Sequence, residues 1–445
     1  MREAVFLVLF GLLFPIAFIR PFFGILLWTV MSYLSPHRYT YGFAPNLPVG
    51  YLTAVPTLAG ALISGRLRMP PVTRETVLLG LLWAWFGLTT LNVYSSNLLM
   101  HHLADTLSRF GDVSKTLLMV VVAMMLITDK SKLRWWYVVT AGCFAFLALK
   151  ALRFGLVTSG AMRVYGPPNT ELADNNAFGL ALNMSLPMFV CLANIEESRA
   201  ARIVLRLSFV AAVVGVVLSY SRGALLGLAC VLLAIAFQSK YRLRAIAATA
   251  ILGLILVVAA PQQWIERMET LKTAEKTDAS AQERFHSWNF ATHLALEFPI
   301  LGGGFETFTT PLYQRYGLSL LTPEGIEFGP HSIYFQMLAE HGFPGLFLFL
   351  AILVSCALSA QRVKKRFRKI DPNHWLVAYA KMLLASLFAY AVSGAFLGFA
   401  YFDLFYQMVA TTIILKFLAE KEMTEEADAG KDLMHPEEAP LSVAS

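Results

Sequence analysis

A histidine next to a Gly-Pro pair is the strongest candidate for acid–base chemistry in this sequence. His331 follows Gly329 and Pro330 and begins a short predicted helix that runs to about Glu340 and ends at Gly342. A histidine side chain has an ordinary pKa near 6.5, so a neutral imidazole can accept a proton at neutral pH. A lone histidine is a weak indication of catalysis, and a histidine that only caps a helix is the alternative.

Two arginines could bind an anionic substrate. Arg222 lies in "LSYSRGALLG", where one apolar block ends and the next begins, so it either faces a polar cavity or reaches back to the membrane surface. Arg284 lies in the first turn of a predicted helix that opens with a capping box, with Ser280 as N-cap and Glu283 at the third position. The helix dipole disfavours a cation there, which indicates either an anionic ligand or a surface salt bridge. Two guanidinium groups that converge would suit a pyrophosphate.

Four further residues are possible substrate-binding groups. Arg163 and Lys115 lie in stretches that face the same side of the membrane as His331. Asn175 follows Asp174 in "YGPPNTELADNNAFG", where either residue could cap the next helix or a polar side chain could bind a sugar. Glu340 is nine residues after His331 and would lie on the opposite face of a straight helix. It is therefore a poor direct partner for the histidine, and we expect its role to be structural.

Other notable residues have simpler readings. His341 adjoins Gly342 and is expected to satisfy carbonyl groups at the helix end. The segment "LGGGFETF" at 301–308 lacks the spacing of a nucleotide-binding loop and predicts a tight turn. The sequence carries no H-E-x-x-H motif and no cysteine pair, so we expect no metal site.

The composition predicts the scaffold that must position these groups. Of 445 residues, 57% are hydrophobic and 15% are charged, and the mean hydropathy is +0.59. The apolar residues form blocks of about 15–22 residues, which is typical of an all-α polytopic membrane protein. The first block is broken at Arg20-Pro21 and is either one kinked crossing or two short helices. Counted as one crossing, it gives about twelve predicted spans: 4–35, 49–65, 76–94, 115–128, 136–153, 175–194, 205–219, 223–238, 244–260, 343–361, 376–396 and 402–418.

The distribution of charge predicts the orientation and the domain organisation. The net charge of +7 is concentrated in short loops on one side of the spans, which indicates a cytoplasmic face rather than binding to nucleic acid. Residues 1–260 would then hold transmembrane helices 1–9, and residues 343–420 helices 10–12. Residues 261–342 would form a long periplasmic loop with amphipathic helices and His331, and residues 421–445 a disordered cytoplasmic tail.

Several of these stretches together resemble a known family. His331-Ser332 followed by Glu340, Gly342 and Gly345 is similar to the signature of the O-antigen ligase and polymerase superfamily. The "SYSRGALLG" junction, the long outward loop and "FPILGGGFETF" resemble it too, over roughly residues 1–420. Within it, "YLSPHRYTYGFA" and "GPPNTELADNNAFG" look like the O-glycosylation ligases associated with exosortase systems.

The resemblance implies a function. It implies a GT-C-like, inverting glycosyltransferase without a metal or other cofactor, in the bacterial inner membrane with its active site facing the periplasm. The donor would be a glycan on undecaprenyl pyrophosphate, and the acceptor a sugar hydroxyl of lipid A–core. By the same resemblance, His331 activates the acceptor hydroxyl while Arg222 and Arg284 hold the donor diphosphate.

Three alternatives to the ligase remain open from the sequence. A protein O-oligosaccharyltransferase and an O-antigen polymerase would use the same chemistry. A transporter of lipid-linked glycans is the alternative from another class, but it would favour charges at the membrane midplane and an inverted repeat, and the sequence shows neither.

Overall fold

The computed structural model describes residues 2–65, 67–258, 279–316 and 328–434, and these ranges are helical with no strand among them. The prediction of an all-α protein is therefore confirmed for the described chain. The helices are α1 Arg2–Ile19, α2 Pro21–Tyr33, α3 Val49–Ile63, α4 Arg74–Ser95, α5 Leu103–Leu126, α6 Lys130–Val157, α7 Asn175–Ile195, α8 Arg199–Leu218, α9 Arg222–Gln238, α10 Arg242–Val258, α11 Ala279–Glu297, α12 Thr310–Arg315, α13 Ile333–Phe367, α14 Trp375–Gly394 and α15 Asp403–Met434. Short 3-10 helices cover Pro36–Tyr39, Ala44–Asn46, Met100–His102 and Glu171–Ala173.

Seven helices in the described chain are long and apolar enough to cross a membrane, namely α1, α4, α6, α7, α8, α13 and α14. Three other apolar helices are shorter: α2, α3 and α9 have 13, 15 and 17 residues. The protein is thus a multi-pass membrane protein by length and composition. The predicted total of about twelve crossings stays a prediction.

The first apolar block, 4–35, forms two helices rather than one kinked helix. Arg20 leaves the helical conformation with φ −126° and ψ 84°, and Pro21 occupies the first turn of α2. Proline is well suited to that position because its missing N–H is not needed there. The alternative of two short helices is what the structure contains, although α2 alone is shorter than a typical span.

Two helices extend well beyond their predicted spans. α5 begins at Leu103 instead of 115, so most of the predicted loop 95–114 is helical. α15 continues to Met434, which differs from the predicted disordered tail 421–445; residues 435–445 lie outside the described chain. A Lys421–Glu425 ion pair of 3.8 Å, at i and i+4, accompanies the helix beyond the predicted end. Local charge pairs of this kind support a polar helix that hydropathy alone does not reveal.

The helix α7 is the most buried helix among the candidate membrane spans and packs against several of its neighbours. It contacts α6, α8, α9 and α14, and most of its side chains are buried. Within it, Asn183 donates to the Ala224 carbonyl of α9 at 2.7 Å and to the Ser393 hydroxyl of α14 at 3.3 Å. These contacts fix the start of α9 beside the end of α14.

Only part of the predicted periplasmic loop 261–342 is described, namely 279–316 and 328–342. It contains α11, α12 and the first turns of α13. α11 begins at Ala279, one residue before the predicted N-cap Ser280, so the predicted start was one to two residues late. The side chain of Ser280 lies outside the described part of the chain.

Candidate active site

The turn that presents His331 is built by its neighbours on both sides. His331 has φ +45°, in the left-handed region, and Ser332 is the N-cap of α13, with its hydroxyl accepting from the Tyr334 N–H at 3.3 Å. His331 therefore lies just before the helix rather than in its first turn. Pro330 packs against Gly398 in the turn 395–402 between α14 and α15, where an added Cβ would lie 2.2 Å from the proline Cγ.

The short helix behind His331 ends at Gly342, which has φ +66° and ψ −172°. The glycine-rich segment before α12 caps this end: the N–H groups of Gly303 and Gly304 donate to the carbonyls of Ala339 and Glu340 at 2.8 and 2.9 Å. At Gly302 a Cβ would lie 2.6 Å from the backbone of this helix end. The predicted tight turn is present, and its role is to satisfy carbonyls left open by the break.

Arg284 lies close enough to His331 to affect its charge. Burial and, to a smaller extent, the positive charge of Arg284 lower the pKa of His331 to about 4, although Asp174 opposes the shift. The imidazole is therefore neutral at neutral pH and can accept a proton. His331, which precedes α13, therefore lies near both Arg284 of α11 and Asp174, the N-cap of α7.

Arg222 lies next in sequence to a glycine that packs against the turn 395–402. It is the first residue of α9, after the N-cap Ser221, whose hydroxyl accepts from the Ala224 N–H at 3.1 Å. The next residue, Gly223, faces Phe396, and an added Cβ there would lie 3.1 Å from the phenylalanine Cβ. Because Phe396 belongs to the turn against which Pro330 packs, Arg222 and His331 flank one short segment.

Arg163 and Asn175 lie around the α8–α9 junction that carries Arg222. The charge of Arg163 acts on Tyr220, two residues before Arg222. Asn175 is buried and its side-chain amide donates to the Ser219 carbonyl at 2.7 Å. Asp174, not Asn175, is the N-cap of α7, accepting from two N–H groups at 2.8 and 3.0 Å. Asn175 therefore ties α7 to the junction.

Lys115 lies in a separate cavity of about 370 Å³. Its ammonium pairs with Asp112 at 2.7 Å and lies 4.5 Å from the centre of the Tyr51 ring. The same cavity is lined by Arg109 and Glu171, which form an ion pair. No contact joins Lys115 to His331, so among the described residues it does not belong with the histidine.

Glu340 is held in a buried hydrogen-bonded chain rather than beside His331. The Tyr401 hydroxyl donates to the Glu340 carboxylate, and Gln336 donates to its other oxygen at 3.5 Å. With that direction fixed, Nε2 of His341 donates to the Tyr401 oxygen at 2.7 Å, and Nδ1 lies 2.8 Å from the Thr89 hydroxyl, which also bonds the Phe86 carbonyl at 3.0 Å. The side chains in this chain are each at most 3% exposed, namely Glu340, Tyr401, His341 and Thr89.

The prediction that His341 caps carbonyls at the helix end was wrong. Both ring nitrogens bond side chains of other segments, because the terminal carbonyls are already bonded to Gly303 and Gly304. The imidazole also packs against Phe86 and Phe305, with ring centres 4.4 and 4.6 Å away. His341 is therefore part of the core beneath the turn that carries His331.

Sequence reasoning did not predict the contacts that link the two polar regions. Arg109 pairs with Glu171, lies 3.6 Å from Glu306, and stands over the Tyr401 ring at 5.4 Å. The spacing of Arg109, Asp112 and Lys115 at every third residue could have indicated one polar helix face in α5. No sequence signal indicated Tyr401. In the described ranges no group of three or more His, Cys, Asp or Glu side chains is arranged to hold a metal ion.

Comparison with known proteins supplies the family. Residues 207–350 match a family described as O-antigen ligase, and this segment includes Arg222, Arg284 and His331. Residues 1–196 match a family of unknown function. No curated protein matches the chain. The segment 207–350 therefore belongs to the O-antigen ligase and polymerase superfamily.

Proposed function

We propose that this protein is an O-antigen ligase of the bacterial inner membrane. It transfers a glycan from undecaprenyl pyrophosphate to a sugar hydroxyl of lipid A–core, with inversion at the anomeric carbon, on the periplasmic side. The family match supports glycan ligation or polymerisation in a membrane, and the choice of acceptor is the further step of this proposal.

The observation that carries the proposal is the grouping of one neutral histidine with two arginines. Arg284 acts electrostatically on His331, and Arg222 flanks the turn against which the His331 segment packs. An inverting transfer needs a proton acceptor on one face of the anomeric carbon and positive charge at the leaving group on the other. A histidine and two guanidinium groups meet both requirements.

The reaction follows from these roles. The acceptor hydroxyl oxygen forms a bond to the anomeric carbon of the donor, and its proton passes to the neutral ring nitrogen of His331. The bond from that carbon to the phosphate oxygen breaks, and undecaprenyl pyrophosphate leaves with the electron pair. Arg222 and Arg284 offset the charge that develops on the departing diphosphate.

The donor itself adjusts the basicity of His331. In the structure, burial and then Arg284 lower the pKa of His331. A diphosphate bound to Arg284 introduces negative charge, which offsets the arginine and favours protonation of the imidazole. His331 is therefore a stronger base when the donor is bound than when the site is empty, which couples proton transfer to donor occupancy.

A deletion strain separates the ligase from its alternatives. If this protein is the ligase, the strain accumulates polymerised glycan on undecaprenyl pyrophosphate, and lipid A–core stays uncapped. If only single-repeat glycan reached lipid A–core, the protein would be a polymerase. If capping were normal and glycoproteins lost their glycan, the acceptor would be protein, as in the exosortase-associated branch. If capping and glycoproteins were normal, ligation would be excluded and transport would become the leading alternative.

Metal independence is a separate part of the proposal. Arg222 and Arg284 supply the positive charge that a divalent cation otherwise provides to a diphosphate leaving group. Transfer by purified protein should therefore continue in EDTA. Loss of transfer in EDTA that magnesium or manganese restores would contradict this assignment.

A further inference from the structure

A second cavity lies at the end of the bundle opposite to His331. It has a volume of about 430 Å³ and lies between α7, α9, α10 and α14. Its walls come from the C-terminal turns of α7 and α9, whose N-terminal ends carry Asn175 and Arg222 at the candidate active site. The deep wall is apolar and includes Cys191, Ile235 and Met382.

Cations gather at the mouth of this cavity without acidic partners. Lys240 and Lys381 line it. Lys364 extends the group, because the charges of Lys381, Arg368, Lys365 and Arg242 all act on its ammonium. None of these six cations has a carboxylate within 4.0 Å in the described part of the chain. Like charges held together without counter-charges repel, so an anion bound there would be stabilised.

The cavity also offers an unused hydrogen-bond acceptor. The Oε1 atom of Gln238, the last residue of α9, is buried and has no donor among the described residues. A buried acceptor without a partner is costly. A ligand hydroxyl would satisfy it, and the side-chain amides of Asn194 and Asn373 line the same cavity.

We propose that this cavity binds an anionic phospholipid whose headgroup carries hydroxyl groups, such as phosphatidylglycerol. The phosphodiester lies between Lys240 and Lys381, and a headgroup hydroxyl donates to Oε1 of Gln238. The apolar wall contacts the first part of an acyl chain, which a free phosphate does not possess. Basic pockets between transmembrane helices bind such headgroups on the cytoplasmic side of membranes, and the cation-rich loops predict that this end is cytoplasmic. The site is independent of the proposed transfer reaction.

The test is a titration of delipidated full-length protein in detergent, followed by native mass spectrometry. The probes are phosphatidylglycerol, phosphatidylcholine and glycerol phosphate. We expect one phosphatidylglycerol to bind in preference to phosphatidylcholine, with no competition from glycerol phosphate. Lys240→Gln with Lys381→Gln should weaken binding about thirtyfold, since each cation near a phosphate contributes roughly fivefold.

Two controls make the result decisive. Arg199→Gln with Arg206→Gln removes the same charge from exposed positions of α8, which do not line the cavity, and should leave binding unchanged. Ala378→Phe fills the cavity without changing charge and should abolish binding, which provides a second route if the lysine variant does not fold. Equal affinity for both phospholipids, or equal effects of the two charge variants, would overturn the site. Competition by glycerol phosphate would overturn the choice of a lipid.

Discussion

The substitution Tyr401→Phe removes the central hydroxyl of the buried hydrogen-bonded chain that joins Glu340 to His341. That hydroxyl donates to Glu340 and accepts from Nε2 of His341, and Tyr401 is 3% exposed. Without it, one buried donor and one buried acceptor lose their partners, at about 1–3 kcal/mol each. We therefore expect a loss of roughly 2–6 kcal/mol in the free energy of unfolding.

The assay is the temperature at which half of the detergent-solubilised protein no longer elutes as a monodisperse peak. We expect Tyr401→Phe to lower this temperature by about 4 °C or more. The matched control is Tyr406→Phe, which removes a hydroxyl in a single 3.3 Å bond to the Ala400 carbonyl. That carbonyl also accepts from Tyr390, so the control leaves no orphaned acceptor.

A second substitution tests the physical reason. If the cost arises from an orphaned Glu340, then Tyr401→Phe should cost less in a Glu340→Gln background, because a buried amide is neutral and less demanding than a carboxyl group. The reasoning is refuted if Tyr401→Phe is no less stable than Tyr406→Phe, or if its cost is the same in both backgrounds.

The other predictions concern charge at both ends of the protein. Arg222→Ala and Arg284→Ala should each abolish transfer. Lys at either position should restore only part of it, since an ammonium cannot make a two-point contact. Near-normal turnover of both Lys variants would show that positive charge is sufficient and would contradict the two-point contact. Lys416→Met should lower the free energy of unfolding by about 3–5 kcal/mol, because Glu75 is fully buried and bonds Lys416 at 2.7 Å. The double variant Glu75→Gln with Lys416→Met should recover part of the loss. An unchanged thermal midpoint of Lys416→Met would contradict the stabilising role of this ion pair. The pKa of His331 is lowered from 6.5 to about 4, so kcat/KM should keep its plateau below pH 6.5 and fall only as the pH approaches 4. Because the unfolded chain binds the proton at a higher pH than the folded chain, the free energy of unfolding should decrease as the pH falls from 6.5 to about 4. An acid limb of kcat/KM at pH 6.5 or above would exclude His331 as the group being titrated.

Features encoded by neighbouring residues could be predicted from the sequence. The break at Gly342, the cap at Asp174 and the position of His331 just before a helix all follow from local backbone chemistry. The apolar blocks likewise predicted helices, although not how far α5 would extend, because its polar first turns are stabilised by ion pairs that hydropathy does not record.

Features that depend on distant contacts could not be predicted. Tyr401 lies 61 residues from Glu340 in the sequence, and no periodicity relates them. The same holds for His341, whose partner Thr89 is 252 residues away. The proximity of Arg284 to His331, and the packing of Pro330 and Gly223 against the turn 395–402, likewise depend on segments far apart in the sequence.

The most direct test of the account is the rate at which His331→Ala transfers glycan from undecaprenyl pyrophosphate to lipid A–core, at membrane levels equal to the native protein. His341 is unsuitable as a control because its ring is bonded in the core. The matched variant is His293→Ala, since His293 is an exposed histidine of α11 whose hydrogen bond among the described residues goes to the Asn289 carbonyl in its own helix. The account predicts a loss on the order of 100-fold or more for His331→Ala and near-native transfer for His293→Ala. A His331→Ala protein that transfers glycan at the native rate would contradict the assignment of His331 as the proton acceptor.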